Sequence, residues 1–334
     1  MAAAAVKDSS RLTRRVAIVW AVVFAALIAA FFVTVAVLNG SLYSAHGFVS
    51  SYLHALERHD VTEALATPGV VVDADADRIL LSGAALGELS DIRLVSDTAQ
   101  GQDRQVVFSY RLGATAEGTS TFLVESTGKR FGLFSSWSFA ESPVSTLAVT
   151  PLHDPRFEIN GISVVSSAAA GDPSSYPVLT PGIFEVTHHS TFLTAKKVVV
   201  PVTVVGDVAE ARVDVEANDS FVSQVDKELR SYLDECATQQ VLQPTGCPFG
   251  YQTGNRIEDL PQWSMSEYPR VKIVPGDEPG TWRVPASKAA AHLKVHIRSL
   301  FDGSVSLYDK DVPFTVGYLI TFDGNGDVKI TAQY

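Results

Sequence analysis

Several patterns that mark catalytic or metal centres are missing from this 334-residue sequence. It contains no GxSxG, HExxH or P-loop spacing, which are the patterns expected of many hydrolases, zinc proteases and nucleotide-binding proteins. Its two cysteines, Cys236 and Cys247, are too far apart for a CxxC redox motif and lack the further ligands of a zinc knuckle. We therefore assign no catalytic, cofactor or metal site from the sequence, although distant residues can still assemble a nucleophile and a base.

Charged residues are missing from one long stretch of the sequence. No Asp, Glu, Lys or Arg lies between Arg15 and Glu57, and within residues 16–38 the one polar side chain is Thr34. At a rise of about 1.5 Å per residue, a helix over this stretch is long enough to cross a hydrocarbon core of about 30 Å. Because backbone amides in lipid must pair within their own segment, we predict that residues 16–38 form a transmembrane helix in contact with the lipid bilayer.

Basic residues flank this stretch on one side only: Lys7, Arg11, Arg14 and Arg15 precede it. Cationic flanks stay on the cytoplasmic side, so we expect residues 1–15 to be a cytoplasmic tail and the rest of the chain to be extracytoplasmic. The alternative is a cleaved signal peptide, whose apolar region usually runs for only about 7 to 15 residues. The length favours an uncleaved, single-pass anchor in the cell membrane.

The composition limits the partners of the exterior. The formal net charge is −11, which argues against nucleic acid and against anionic lipid headgroups, although an acidic surface can also serve solubility alone. The hydrophobic content of 46% can supply real cores. Because both cysteines lie in the part that we expect to be exported, we predict a structural disulfide between Cys236 and Cys247.

The order of apolar patterns predicts an α+β exterior of three modules. Residues 41–142 begin with apolar positions at helical spacing and continue as short strands, with a hairpin turn at 126–129. Residues 143–205 have no helical period, and their regularly spaced strands favour a small all-β sandwich. Residues 206–334 return to the first pattern, with a helix capped near Asn218 and long strands after it. Sheets curled over their helices would make the first and third modules cone-like.

One local pattern carries a resemblance. The helix ending in YLDEC, followed by VLQPTGCPFG and long strands, resembles exported domains of uncharacterised single-pass membrane proteins from GC-rich Gram-positive bacteria. Those domains are similar to the α+β cone of nuclear transport factor 2, and the plan of an anchor followed by exported modules is similar to the teicoplanin-resistance-associated membrane proteins. The resemblance implies a fold and an envelope location. It transfers no catalytic residue, because this fold hosts both enzymes and binding modules.

Three groups of polar residues invite a chemical interpretation. His292, Lys294, His296 and Arg298 share one face of a predicted strand, which is either a solvated sheet face or a candidate anion-binding face for carboxylates or phosphates of wall polymers. His188 and His189 are neighbours, so a strand would point them to opposite faces. The acidic run at 323–327 lacks the later ligands of a calcium loop and predicts a hairpin turn.

Together these observations predict a membrane-anchored extracytoplasmic protein, which binds or scaffolds another component of the cell envelope without catalysis. The partner would be an envelope protein or a wall polymer. Two alternatives stay open, namely an enzyme with a pocket in one cone-like module and an accessory subunit of a secretion or conjugation machine.

Overall fold

A computed structural model describes residues 5–169, 171–323 and 328–333, with side chains from residue 14 onward. Its first element is a long helix, α1 (Ala5–Gly40), whose segment Arg14–Gly40 contains an 18-residue window with a mean hydropathy of 2.9. Within the described residues it is the one helix long and apolar enough to cross a membrane. The described side chains of α1 up to residue 34 are all exposed, as expected of a helix that finds its apolar surroundings in lipid.

Among the described residues three shorter α-helices follow, and a capping side chain fixes the start of each; a single 3-10 turn lies at Gly83–Ala85. The helix α2 (Ala45–Glu57) begins after Ser44, whose hydroxyl accepts a hydrogen bond from the backbone N–H of Gly47, so the helix predicted at the start of 41–142 begins four residues later than expected. The other two are α3 (Val61–Ala66), capped by Asp60, and α4 (Asp219–Ala237), capped by Asn218 as the sequence predicted.

The first four strands form one antiparallel meander in the order β1-β2-β3-β4. Their bounds are β1 (Leu89–Gln100), β2 (Asp103–Leu112), β3 (Ala116–Arg130) and β4 (Phe134–Phe139). The hairpin turn predicted at 126–129 is wrong. Gly128, at φ 111°, stays within the β3–β4 pairing at a shift of register. The chain turns instead at Phe131 and Gly132, which both have positive φ.

The next seven strands form one sheet in the order β7-β6-β9-β10-β11-β5-β8. They are β5 (Val144–Leu152), β6 (Arg156–Ile159), β7 (Ile162–Val165), β8 (Ser174–Leu179), β9 (Gly182–His189), β10 (Leu193–Val202) and β11 (Val208–Ala217). The sequence predicts a small all-β sandwich over residues 143–205. In the structure β11, which lies beyond residue 205, pairs with β10, and the seven strands share one hydrogen-bonded order.

The last sheet follows α4. Its strands are β12 (Arg256–Ile257), β13 (Gln262–Glu267), β14 (Val274–Pro275), β15 (Trp282–Arg298), β16 (Val305–Phe322) and β17 (Val328–Gln333). The long β15 pairs with β12, β13, β14 and β16, and β17 lies at the edge beside β16. On β15 the alternation predicted from the sequence is confirmed, with Leu293, Val295 and Ile297 buried and the intervening residues turned away. The turn predicted over 323–327 lies, from residue 324 on, outside the described residues.

Contacts divide the chain into two compact units. The first unit comprises residues 1–148, 175–184 and 200–209, and the second comprises 149–174, 185–199 and 210–334. Each strand of the group β5, β8, β9, β10 and β11 contributes residues to both units, so the segment 143–205 is shared between them. The division of the exterior into three modules stays a prediction.

Candidate functional site

The space between helix and sheet in the first unit is filled. Tyr52 and Leu53 of α2 are buried against the meander, where the Tyr52 ring lies 5.2 Å from the ring of Phe139 and 6.3 Å from that of Phe122, measured between centroids. Phe122 and Phe139 contact each other at 5.9 Å. These aromatic side chains occupy the interior in which a cone-shaped sheet would otherwise hold a ligand.

The second unit keeps a cleft in the corresponding place, between α4 and the strands β16 and β17. Its volume is about 530 Å³. The walls come from α4, the loop after it and the two strands, through Glu228, Leu229, Tyr232, Gly246, Tyr318, Ile330, Thr331 and Ala332. Leu229 and Tyr318 are buried and form an apolar floor, whereas Glu228, Tyr232 and Thr331 bring polar groups to its rim. A cleft of this size and composition fits a few side chains of mixed polarity.

A disulfide closes the loop that contributes Gly246 to one wall of this cleft. Cys236, near the end of α4, is bonded to Cys247, with an S–S distance of 2.04 Å and a Cα–Cα distance of 5.8 Å, which confirms the predicted bridge. The hydroxyl of Tyr232, one turn earlier on α4, donates a hydrogen bond to the carbonyl of Gly246 inside the closed loop. The bridge and this hydrogen bond together hold the loop against the helix, so the shape of the cleft depends on both.

One side of the cleft is formed by β17, which is the edge strand of the last sheet. β17 pairs with β16 from Phe322↔Val328 to Gly317↔Gln333, and in the described part of the chain no strand lies on its other side. An edge strand of this kind presents unpaired backbone N–H and C=O groups to any extended chain that approaches it. Long strands are predicted in residues 206–334, but the sequence does not indicate which of them lies at the edge, because strand order depends on pairings far apart in the chain.

The row of cationic side chains predicted from the sequence lies on the exposed face of β15 and consists of His292, Lys294, His296 and Arg298. Each member of this cationic row lies next to a carboxylate. His292 contacts two aspartates of β16, Asp311 through Nδ1 at 2.9 Å and Asp309 through Nε2 at 2.7 Å. The hydrogen bond to Asp311, followed by that to Asp309, raises the pKa of His292 above its usual value. Lys294 lies 3.8 Å from the same Asp309.

The remaining two cations of the row are paired in the same way. His296 binds the carboxylate of Asp259 through its ring at 2.7 Å and its backbone N–H at 2.7 Å, and Arg298 binds Glu258 with two nitrogens at 2.6 and 3.1 Å. An anion at this face would compete with these carboxylates. The anion-binding face formed by the row therefore stays a prediction, and the cleft is the stronger candidate site.

A buried polar cluster lies elsewhere in the second unit. Asp154 is buried and accepts two hydrogen bonds from the guanidinium of Arg156, at 2.9 and 2.6 Å. Burial acts to raise the pKa of Asp154, but the hydrogen bonds from Arg156 outweigh it and lower the pKa. His188 is buried and contacts the Arg156 carbonyl at 2.8 Å, while His189 points to the exposed face, as strand alternation predicts. This cluster connects β6 to β9, and no sequence pattern indicates the role of Asp154.

A smaller polar cavity of about 310 Å³ lies on the meander of the first unit. Asp91 and Arg111 form an ion pair at 2.7 Å in its wall, next to Arg93 and Glu117. Since both signs of charge are present and two of the groups neutralise each other, the cavity has no clear ligand preference. Across the described residues, no group of three or more His, Cys, Asp and Glu is placed to hold a metal ion.

Comparison with known proteins adds no further assignment. No protein-family model matches the chain, and neither the curated proteins nor the solved structures contain a significant match.

Proposed function

We propose that this chain is a membrane-anchored protein of the cell envelope, whose cleft between α4 and β17 binds an extended segment of a partner protein. The observation that carries the proposal is the pairing of a cleft of about 530 Å³ with an open sheet edge. Extended peptides bind such sites by adding a strand to the edge, with alternate side chains placed in the neighbouring groove.

The anchor and the disulfide support the location. An apolar helix with basic residues before it and none directly after it favours a cytoplasmic amino terminus and an extracytoplasmic exterior. A bridge between Cys236 and Cys247 fits an oxidising compartment, since cytosolic thiols are kept reduced. The finer fold proposal, two cone-like units of the nuclear transport factor 2 type, has support from the order of helix and meander in both halves of the exterior.

The groups around the cleft favour binding over catalysis. The Tyr232 hydroxyl is engaged with a backbone carbonyl, and the carboxylate of Glu228 accepts a hydrogen bond of 2.6 Å from Gln224. Groups held in this way orient a ligand and contribute to its specificity. Because Glu228 is the acidic residue in the lining, we propose a partner segment that carries a basic or neutral side chain at this position.

A photo-crosslinking amino acid at Thr331 in living cells tests the proposal. Thr331 is exposed on the rim of the cleft, and Lys288, exposed on β15 outside the lining, is the matched control position. We expect a discrete adduct from position 331 that is absent from position 288 and is lost when Glu228→Lys reverses the charge of the rim. Equal adducts from the two positions, or none from position 331, would contradict the proposal.

A further inference from the structure

The β3–β4 hairpin extends beyond the sheet to which it belongs. β2 accompanies β3 only as far as the pair Asp103↔Glu125, whereas β3 continues to Arg130, which pairs with Phe134 at the start of β4. The last residues of β3 and the first of β4 therefore form a two-stranded ribbon on their own. Such a ribbon has little sheet to stabilise it and needs other contacts to hold its position.

The ribbon runs back along α2 toward the end of α1. At its base, the ring of Phe139 lies 5.0 Å from that of Phe48 in α2. Nearer the tip, the indole N–H of Trp137 donates to the carbonyl of Tyr43, in the turn before α2, at 2.9 Å. Residues nearer the start of β4 therefore contact residues nearer to α1.

The tip of the ribbon is fixed to the last turn of α1. The side-chain amide of Asn39 donates to the carbonyl of Leu133 at 2.8 Å and accepts from the backbone N–H of Ser135 at 2.9 Å. Val35 and Leu38, one helical turn apart, are half-buried, whereas the described residues before them on α1 are exposed. Since about 6 Å separates Val35 from Asn39 along a helix, the hairpin reaches the level at which the apolar segment ends.

The turn at the tip has an unusual residue. Leu133 N–H donates to the Arg130 carbonyl at 3.2 Å, and both central residues have positive φ, 54° at Phe131 and 70° at Gly132. Asn or Gly is usual at the first of these positions, and a bulky aromatic there is strained. The Phe131 side chain is nevertheless 82% exposed, so burial within the chain does not compensate for the strain. An exposed aromatic in a strained turn indicates a contact outside the chain.

The charge of the tip differs from that of the whole protein. Lys129 and Arg130 are the two charged residues of the segment 126–140, in a chain with a net charge of −11. None of the ion pairs among the described residues includes either of them. The Arg130 guanidinium lies 5.5 Å from the ring centroid of Phe131. Two unpaired cations beside an exposed aromatic match the headgroup layer of a phospholipid bilayer.

We propose that residues 129–131 insert into the leaflet from which α1 emerges, with Phe131 among the upper acyl chains and Lys129 and Arg130 at the lipid phosphates. This inference rests on the proposed transmembrane role of α1. It refines the expectation that an acidic exterior avoids anionic headgroups, because the local charge of the tip has the opposite sign. A second attachment point beside α1 fixes the orientation of the first unit on the membrane surface.

Site-directed spin labelling of the full-length chain in nanodiscs tests the proposal. Nanodiscs expose both bilayer faces, so protection of a label reports insertion and not enclosure in a vesicle. The described cysteines are joined in the disulfide, so a nitroxide attached through Phe131→Cys has no native thiol to compete with it. Ala114→Cys, in the exposed turn at the opposite end of the same meander, is the matched control. We expect the label at 131 to be several-fold less accessible to a water-soluble nickel relaxation agent than the label at 114.

Two further variants make the result decisive. Phe24→Cys, at an exposed position in the middle of the apolar segment, reports on α1 itself: a protected label at 24 with a fully accessible label at 131 overturns the hairpin proposal alone. An accessible label at 24 overturns the transmembrane assignment, and the hairpin proposal with it. In nanodiscs that contain phosphatidylglycerol, replacing both Lys129 and Arg130 by Glu should return the label at 131 toward the accessibility of the control. Unchanged protection would show that the two cations take no part.

Discussion

The hydroxyl of Tyr52, in α2, donates a hydrogen bond to the backbone carbonyl of Thr180, 2.9 Å away and 128 residues further along the chain. The Tyr52 side chain is buried, and burial raises the pKa of its hydroxyl well above the usual range, with the hydrogen bond to Thr180 acting in the opposite direction. The hydroxyl therefore stays protonated at physiological pH and remains a donor. Through this bond α2 is joined to the loop between β8 and β9.

Replacing Tyr52 by Phe should destabilise the first unit by about 1–3 kcal/mol, because the Thr180 carbonyl loses a donor inside the core. The measurement is the free energy of unfolding of the full-length protein in a non-ionic detergent. Tyr43→Phe is the control, since the half-buried ring of Tyr43 packs against Phe134 at 4.4 Å and its carbonyl, not its hydroxyl, is the group bonded to Trp137. Equal effects of the two substitutions would mean that the hydroxyl of Tyr52 contributes nothing specific.

Features that depend on near neighbours in the chain could be predicted from the sequence. The cap at Asn218, the buried stripe of α4 and the alternation around Leu293 follow from local spacing, and the structure confirms each of them. The apolar segment 16–38 likewise needed no knowledge of the rest of the chain. In each case one element and its burial pattern were sufficient.

Features that depend on pairing between distant segments could not be predicted. Asp309 and Asp311 face His292 only because β16 pairs with β15 in the register that places His292 opposite Asp311. Glycine is a turn signal, so the sequence predicts the hairpin turn at 126–129. In the structure Gly128 is instead paired within the β3–β4 hairpin. The candidate cleft was missed for the same reason, since its walls come from segments that the sequence alone does not bring together.

Removing the disulfide should weaken both the second unit and its cleft. The double variant Cys236→Ser, Cys247→Ser opens a loop whose two cysteines are separated by 11 positions in the sequence. The chain-entropy account predicts that the free energy of unfolding falls by about 3 kcal/mol. We expect the crosslink from Thr331 to weaken in parallel, because the bridged loop carries Gly246 in the cleft wall. Lower thermal stability with an unchanged crosslink would separate the bridge from the binding site.

The titration of His292 should depend on the two aspartates beside it. A raised pKa in the folded state means that these contacts stabilise the protein below the unfolded pKa of histidine and that this contribution disappears as the pH rises through the folded pKa. In the variant with both Asp309→Asn and Asp311→Asn, we expect the histidine signal in an NMR titration to move to lower pH. Glu117→Gln, an exposed charge change in the first unit, should leave that signal in place. A His292 titration that is the same in all three proteins would contradict the role given to the aspartates.

Asp97 should make the first unit sensitive to acid. Its carboxylate accepts a hydrogen bond of 2.7 Å from Nε of Arg104 and contacts Nδ1 of His46, in α2, at 2.9 Å, and its side chain is only 13% exposed. Burial acts to raise the pKa of Asp97, but the hydrogen bonds from Arg104 and His46 outweigh it, so the pKa lies below its ordinary value. A carboxyl with a lowered folded-state pKa stabilises the protein above its unfolded pKa of about 3.9, and this contribution is lost as the pH falls through the folded pKa.

Asp97→Asn should therefore lower the free energy of unfolding at pH 7 by about 1–2 kcal/mol, within the range for hydrogen bonds to charged groups after an allowance for partial exposure. The difference from the unmodified protein should shrink as the pH falls below about 4, because the unfolded chain then takes up a proton at Asp97 that the folded protein does not yet bind. Asp75→Asn, at an exposed position of the same unit, is the control and should leave the stability at pH 7 unchanged. The two free energies of unfolding could instead differ by a constant amount from pH 7 to pH 3. That result would mean that packing at this site, and not the charge of Asp97, stabilises the contact between α2 and the meander.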